Sequence, residues 1–144
     1  MYLIFRPMKK ITLKAKRDAS IRRFHPWVFS GAVARRDDAI QDGDIVEVYS
    51  HQEEYLATGH FQDGSILVRL FSFAQTPANQ AFWTQKLQRA LTYRQALGVV
   101  QPGVTDCFRL VHGEGDGLPG LVIDIYSQTA VVQCHSIGMY RQLP

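Results

Sequence analysis

The most informative stretch of this chain is His25-Pro26-Trp27-Val28-Phe29-Ser30-Gly31, which lies inside a strongly basic segment. Residues 1–36 contain ten of the sixteen Lys and Arg residues and one acidic residue, Asp18, which gives a net charge of +9. Residues 37–144 contain six basic and twelve acidic residues, a net charge of −6. This asymmetry is typical of a protein that meets a polyanion with one face.

Cations and aromatic rings alternate just before this stretch, in Arg22-Arg23-Phe24-His25-Pro26-Trp27. This pattern suits single-stranded or looped RNA, because guanidinium groups neutralise phosphates while flat side chains stack on exposed bases. DNA or an anionic membrane surface would satisfy the same electrostatics. Trp27 and Phe29 themselves are expected to belong mainly to a core, since large aromatic side chains dominate protein interiors.

Around this segment, the first half of the chain predicts a small β domain. Short runs rich in Val, Ile, Leu, Tyr and Phe are separated by turn signals, a spacing that favours a barrel or sandwich. Ser20 is expected to cap one helical turn that Pro26 ends. The predicted strands are residues 10–15, 32–36, 44–50, 54–61 and 65–73.

The second half predicts one helix and three strands. Apolar residues recur at helical spacing from Pro77 to Leu97, with Thr76 as the predicted N-cap and Gly98 as the stop. Strand-like runs follow at 107–112, 119–125 and 129–135. We therefore expect an α+β protein with two domains, residues 1–74 and 75–144, of which the second is incomplete.

The residues that could carry chemistry are few. Cys107 and Cys134 are expected to be buried, reduced thiols of a cytoplasmic protein, and no Cys or His spacing indicates a metal site. The loop Glu114-Gly115-Asp116-Gly117 could hold a cation or act as an acid/base pair, but a tight connection between strands is the favoured interpretation. No complete catalytic apparatus is evident.

The amino terminus gives two further expectations. Met8 is an alternative start, so residues 1–7 are interpreted as a dispensable extension. The first apolar residues precede the positive charges, unlike a signal peptide, and no apolar run approaches the roughly 20 residues that span a bilayer. We expect no membrane partner.

Two motifs resemble one known family. The first motif consists of Ser20, Arg23 and the run His25–Gly31, followed by Gly59, Ser65-Ile66 and Arg69. It resembles the N-terminal PUA domain of bacterial SAM-dependent large-subunit rRNA cytosine-5 methyltransferases. Residues 108–124, which contain Gly-Glu-Gly-Asp-Gly-Leu-Pro-Gly, are similar to the opening of the middle domain of that family. The chain departs from the family at Lys16-Arg17-Asp18, where a glycine is common.

This resemblance implies a PUA-like β pseudo-barrel followed by a partial α/β domain of one helix and about three antiparallel strands. It implies an RNA-binding module that lacks the catalytic domain, so that S-adenosylmethionine is expected only in a full-length relative and no cofactor or catalytic residue is assigned to this chain. Cys107 and Cys134 do not match the nucleophilic cysteine of the family.

The expected partner is structured RNA, with 23S rRNA as the specific candidate. Two alternatives stay open: a protein-interaction or dimerisation module, including a homodimer, and an independent enzyme that uses the Glu114–Asp116 loop. The residues expected to contact RNA are Lys14, Lys16, Arg17, Arg22, Arg23, His25, Trp27 and Arg35.

Overall fold

A computed structural model describes residues 8–143, so the expectation about residues 1–7 lies outside the described residues. The described residues form two compact units, which divide between Gln75 and Thr76. Within the described residues, no helix is long and apolar enough to cross a membrane.

The first unit is built around one curled six-stranded sheet. Its strand order is β2-β6-β5-β4-β1-β3, in which β1 and β4 are parallel and the other neighbours are antiparallel. Single turns of 3-10 helix at Ile21–Arg23 and Ser30–Ala32 flank β2. The strands are β1 Lys9–Leu13, β2 Trp27–Phe29, β3 Val33–Arg36, β4 Ile45–Tyr49, β5 Tyr55–Phe61 and β6 Ile66–Ser72.

The core of this unit consists of the inward-facing residues of the strands together with Ile21. Gly59 on β5 is required at a close approach of two strands, because a Cβ at this position would lie 2.4 Å from the carbonyl oxygen of Arg69. His60, its neighbour, is only 2% exposed and packs on the ring of Phe71, with the ring centroids 4.8 Å apart. Burial lowers the pKa of His60 to about 4.

The second unit contains helix α1, Gln80–Ala96, and a three-stranded antiparallel sheet in the order β7-β8-β9. The sheet packs its buried side chains against Ala90 and the half-buried Trp83 and Leu87 of the helix. The α+β fold class is thus confirmed. The remaining elements are β7 Cys107–His112, the 3-10 turn Gly113–Asp116, β8 Leu121–Tyr126, β9 Thr129–Cys134 and the short helix α2 Ile137–Tyr140.

Several local predictions were wrong. Helix α1 begins three residues later than predicted, with Asn79 rather than Thr76 as its N-cap, and Leu97 is exposed rather than part of the core. Cys107 is exposed because it begins β7, a strand at the edge of the sheet, and Cys134 is half-buried. Ser20 precedes its 3-10 turn without a side-chain cap.

The start of α1 gives a direct test. The Asn79 side chain accepts a hydrogen bond of 3.0 Å from the Phe82 amide, so Asn79→Ala should lower the free energy of unfolding by about 1 kcal/mol. Asn79→Ser, which keeps a capping oxygen, should stay close to the parent protein. Urea unfolding followed by Trp83 fluorescence in a Trp27→Phe background measures both, and equal losses in the two variants would contradict the assignment of the cap.

Candidate nucleic-acid interface

A basic loop, residues 14–23, forms the first part of the connection between β1 and β2. Its first turn is closed by the Arg17 amide, which donates to the Lys14 carbonyl at 3.2 Å, and Lys16 adopts a left-handed backbone conformation with φ 61°. The Lys14 ammonium donates to the Gly31 carbonyl at 2.9 Å, which holds the loop beside the end of β2. The buried Ile21 anchors the far end of the loop in the core.

Many of the basic residues near the amino terminus form ion pairs with acidic residues of the same unit. Lys9 lies 2.5 Å from Asp44, and Arg36 lies 3.6 Å from Asp63. Lys10 also pairs with Glu53. Residues 1–75 contain eleven basic and nine acidic residues, so the strong charge of the first 36 residues is largely neutralised within the folded unit.

Arg22 and Arg35, both predicted RNA contacts, belong to this paired group. The Arg22 guanidinium donates to Asp18 at 2.7 Å and also to Glu54. The Arg35 guanidinium donates to Glu53 at 2.6 Å and to the Thr12 hydroxyl at 3.3 Å. Hydrogen bonds from Arg22 lower the pKa of Asp18, and those from Lys10 and Arg35 lower the pKa of Glu53. Part of the hydrogen-bonding capacity of both arginines is therefore in use.

Four predicted contacts remain available in the basic loop. Among residues 8–143, no carboxylate lies within ion-pair distance of Lys14, Lys16, Arg17 or Arg23, and all four side chains are exposed. Arg23 donates from Nε to the Ala19 carbonyl at 3.3 Å, and its side chain is exposed. Phosphate groups could therefore replace water around these four cations without breaking an ion pair.

The aromatic residues beside the loop differ from the sequence-based expectation. Only Val28 of β2 is fully buried, whereas Trp27 is half-buried and Phe29 is 48% exposed. His25, Trp27 and Phe29 form a ring cluster with centroid separations of 5.8 to 6.3 Å. The interpretation of Phe29 as a core residue was wrong, because the three-residue strand points only its middle side chain inward.

The Gly-Glu-Gly-Asp-Gly loop holds the second unit together. Arg94 of α1 forms a bidentate pair with Asp116, in which the second contact is 2.7 Å, and the His112 amide donates to the same carboxylate at 2.6 Å. The two side chains are only 11% and 7% exposed. Burial alone would raise the pKa of Asp116, but the hydrogen bonds from Arg94 and His112 hold it below its usual value. These bonds give the Asp116 carboxylate a structural role in the second unit.

A second carboxylate of this unit, Asp124, also forms an ion pair. Asp124 of β8 pairs with Arg109 of β7 at 2.8 and 3.0 Å, and this bond lowers the pKa of Asp124. Among residues 8–143, no three His, Cys, Asp or Glu side chains come together in an arrangement that could hold a metal ion.

Comparison with protein families agrees with the geometry of the first unit. Residues 11–73, which run from β1 through β6, match the model of the PUA-like domain. This segment is a PUA-like domain. The basic loop, β2 and the exposed aromatic residues are all parts of it.

The similarity of this chain to known proteins extends beyond the PUA-like domain. The chain is 38% identical over 131 residues to ribosomal RNA large subunit methyltransferase I of Alteromonas mediterranea, and the match covers 90% of this chain and 32% of the relative. The protein of the same name from Escherichia coli is 38% identical over 135 residues, covering 92% and 34%. The chain therefore spans about a third of the length of these relatives.

Two solved structures share the fold. A Streptococcus mutans protein assigned as a SAM-dependent methyltransferase superposes with a TM-score of 0.77 at 18% identity, covering 93% of this chain and 35% of that one. A protein assigned as a methyltransferase and solved with SAH gives a TM-score of 0.76 at 19% identity, covering 93% and 34%. At this identity the likeness concerns the fold alone.

Proposed function

We propose that this chain binds RNA through its PUA-like domain, as the recognition part of a large-subunit rRNA cytosine-5 methyltransferase. The observation that carries the proposal is the 38% identity to rRNA large subunit methyltransferases, which extends over 90% of the chain. The specific partner proposed is 23S rRNA. Residues 76–144 are proposed to belong to the central domain that precedes the catalytic domain in such an enzyme, and methyl transfer from S-adenosylmethionine would require that catalytic domain.

The basic loop supplies the phosphate contacts in this proposal. Lys14, Lys16, Arg17 and Arg23 can each approach a phosphate without giving up a carboxylate partner. Arg22 and Arg35 contribute less, because contact with RNA would compete with their bonds to Asp18, Glu54 and Glu53. His25 and Trp27 shape the adjoining surface, since the Trp27 amide donates to the His25 ring at 3.2 Å.

The salt dependence of RNA binding tests whether the basic loop contacts phosphate groups. If three to five phosphates are engaged, the slope of log affinity against log salt should be roughly −2 to −4. The triple variant Lys16→Gln/Arg17→Gln/Arg23→Gln should make this slope about 2 units shallower and should weaken binding roughly 100-fold at 0.1 M salt. Fluorescence anisotropy with a 23S rRNA fragment measures both quantities.

A charge-matched control separates local contacts from net charge. Arg36→Gln/Arg89→Gln/Arg109→Gln removes the same number of cations from exposed positions outside the basic loop. This control should bind RNA within a few-fold of the parent protein. Equal losses in the two triple variants would show that the basic loop makes no specific contact, and a salt-independent affinity would remove the electrostatic basis of the proposal.

A protein-interaction module is the second candidate. The observation that favours it is an apolar groove of about 240 Å³ in the second unit, lined by residues that include Trp83, Leu87, Met139 and Leu143. Such a groove could be covered by a partner protein or by a second copy of this chain. Sedimentation at several concentrations tests the second-copy version. A monomer at every concentration combined with salt-dependent RNA binding would favour the first candidate.

A further inference from the structure

Phe24 combines an unfavourable backbone conformation with an exposed ring. It ends the 3-10 turn Ile21–Arg23 in the left-handed region, with φ 62° and ψ 27°, where glycine or asparagine is the usual residue. Its side chain is 70% exposed, and the ring packs against that of Phe73 in a T-shaped pair with the centroids 5.2 Å apart. Neither local conformation nor core packing accounts for a large aromatic residue at this position, which is a pattern associated with function.

A second exposed phenyl ring, that of Phe29, lies five residues after Phe24 in the chain. Phe24 is followed directly by His25, whose ring lies 6.2 Å from that of Phe29, the 48% exposed end of β2. The Phe24 amide donates to Ile21 at 2.8 Å and the His25 amide donates to Ser20 at 3.0 Å, so the backbone beneath the rings is fixed. Two exposed phenyl rings are thereby held at the two ends of a short rigid segment, which reduces the entropy lost when they contact a ligand.

Cations flank both rings. Arg23 precedes Phe24 directly, and the Lys14 ammonium donates to the Gly31 carbonyl, two residues beyond Phe29. Neither cation has a carboxylate partner among the described residues. Aromatic faces beside cations are the arrangement that binds unpaired nucleotides, because bases stack on the rings while phosphates meet the charges. A duplex keeps its bases stacked inside the helix and offers no free face to a phenyl ring.

We propose that Phe24 and Phe29 form a stacking platform for unpaired nucleobases, so that the RNA element bound by this surface is a loop, bulge or single strand rather than a continuous duplex. The inference rests on the proposed RNA-binding function and adds the class of RNA element. The exposed rings of Phe24 and Phe29 contact the bases, whereas the lysines and arginines of the basic loop bind the phosphates.

The test compares two RNAs of the same sequence, one unpaired and one annealed to its complement, with the full chain of 144 residues. The unpaired strand carries 2-aminopurine, whose fluorescence responds to stacking. We expect the unpaired strand to bind at least about tenfold more tightly than the duplex and its fluorescence to change on binding. The double variant Phe24→Leu/Phe29→Leu should lose about 10- to 100-fold in affinity for the unpaired strand, with an unchanged salt slope and unchanged duplex binding.

Two further variants control for folding. Phe24→Trp keeps a flat ring and should retain binding, whereas Phe24→Gly relieves the left-handed backbone, should fold normally and should still weaken binding to the unpaired strand. The proposal is overturned if the leucine variant binds like the parent, if the duplex binds as tightly as the single strand, or if the substitutions abolish only self-association in sedimentation, which would indicate a protein contact. Failure of the parent protein to bind any RNA would instead refute the proposed function.

Discussion

Replacing Asp116 with alanine should destabilise the second unit by about 3–5 kcal/mol, because it leaves the buried Arg94 guanidinium without its bidentate partner. The same change removes the acceptor of the His112 amide, which lies 2.6 Å from the carboxylate. The residue thus connects α1 to the end of β7. A loss of this size would unfold a large fraction of the unit at room temperature.

The two tryptophans of the chain allow each unit to be followed separately. Trp83 lies in the second unit and Trp27 in the first, so a Trp27→Phe background reports urea unfolding of the second unit alone. Asp124→Ala is the matched control, since its partner Arg109 is exposed and such pairs contribute about 1 kcal/mol or less. The structural assignment of Asp116 would be contradicted if the two alanine variants lost equal stability.

A double-mutant cycle gives a second check on the same pair. Arg94→Ala should also be strongly destabilising, because it leaves the Asp116 carboxylate buried and charged. The double variant should lose clearly less than the sum of the two single losses, since each single change removes the same interaction. Additive losses would mean that Arg94 and Asp116 stabilise the unit independently.

The elements of this fold could be predicted where the sequence pattern is long. The strands from β4 to β6 and the three strands of the second unit lie within about two residues of their predicted ends, because each contains a run of apolar or β-branched residues bounded by turn residues. β2 was not predicted as a strand, since three residues are too few to show alternation. The N-cap of α1 was misassigned because Thr76-Pro77 and Asn79 are both plausible starts within one turn.

The candidate site could be predicted only in part. The excess of basic residues before residue 37 is visible in the sequence, but the ion pairs that neutralise many of them join residues far apart in the chain. Arg22 and Glu54 are 32 positions apart, and Lys10 and Glu53 are 43 apart. Such pairing follows from strand register, which composition does not encode. The exposed position of Phe24 has the same origin, because the buried Ile21 fixes which side of the turn faces solvent.

Acidification should lower the stability of the PUA-like domain because of the buried His60. The folded domain holds this buried histidine neutral, with a pKa of about 4, whereas the unfolded chain has an ordinary histidine pKa near 6.5. Below pH 6.5 the unfolded state therefore binds a proton that the folded state does not bind, and the free energy of unfolding falls as the pH falls. The loss should reach about 2 kcal/mol by pH 5 and about 3 kcal/mol near pH 4, with no contribution from His60 above about pH 7.

Urea unfolding between pH 7.5 and pH 5, followed by Trp27 fluorescence in a Trp83→Phe background, measures this loss. This pH range isolates His60, because Asp18 and Glu53, whose pKa values are lowered by ion pairs, lose most of their contribution to the free energy of unfolding at more acidic pH. His60→Leu should be nearly independent of pH over the range, even if its stability at pH 7.5 differs from that of the parent. His51→Gln, at an exposed histidine in the same unit, should keep the full pH dependence. A pH dependence that survives in His60→Leu would mean that another group carries the linkage.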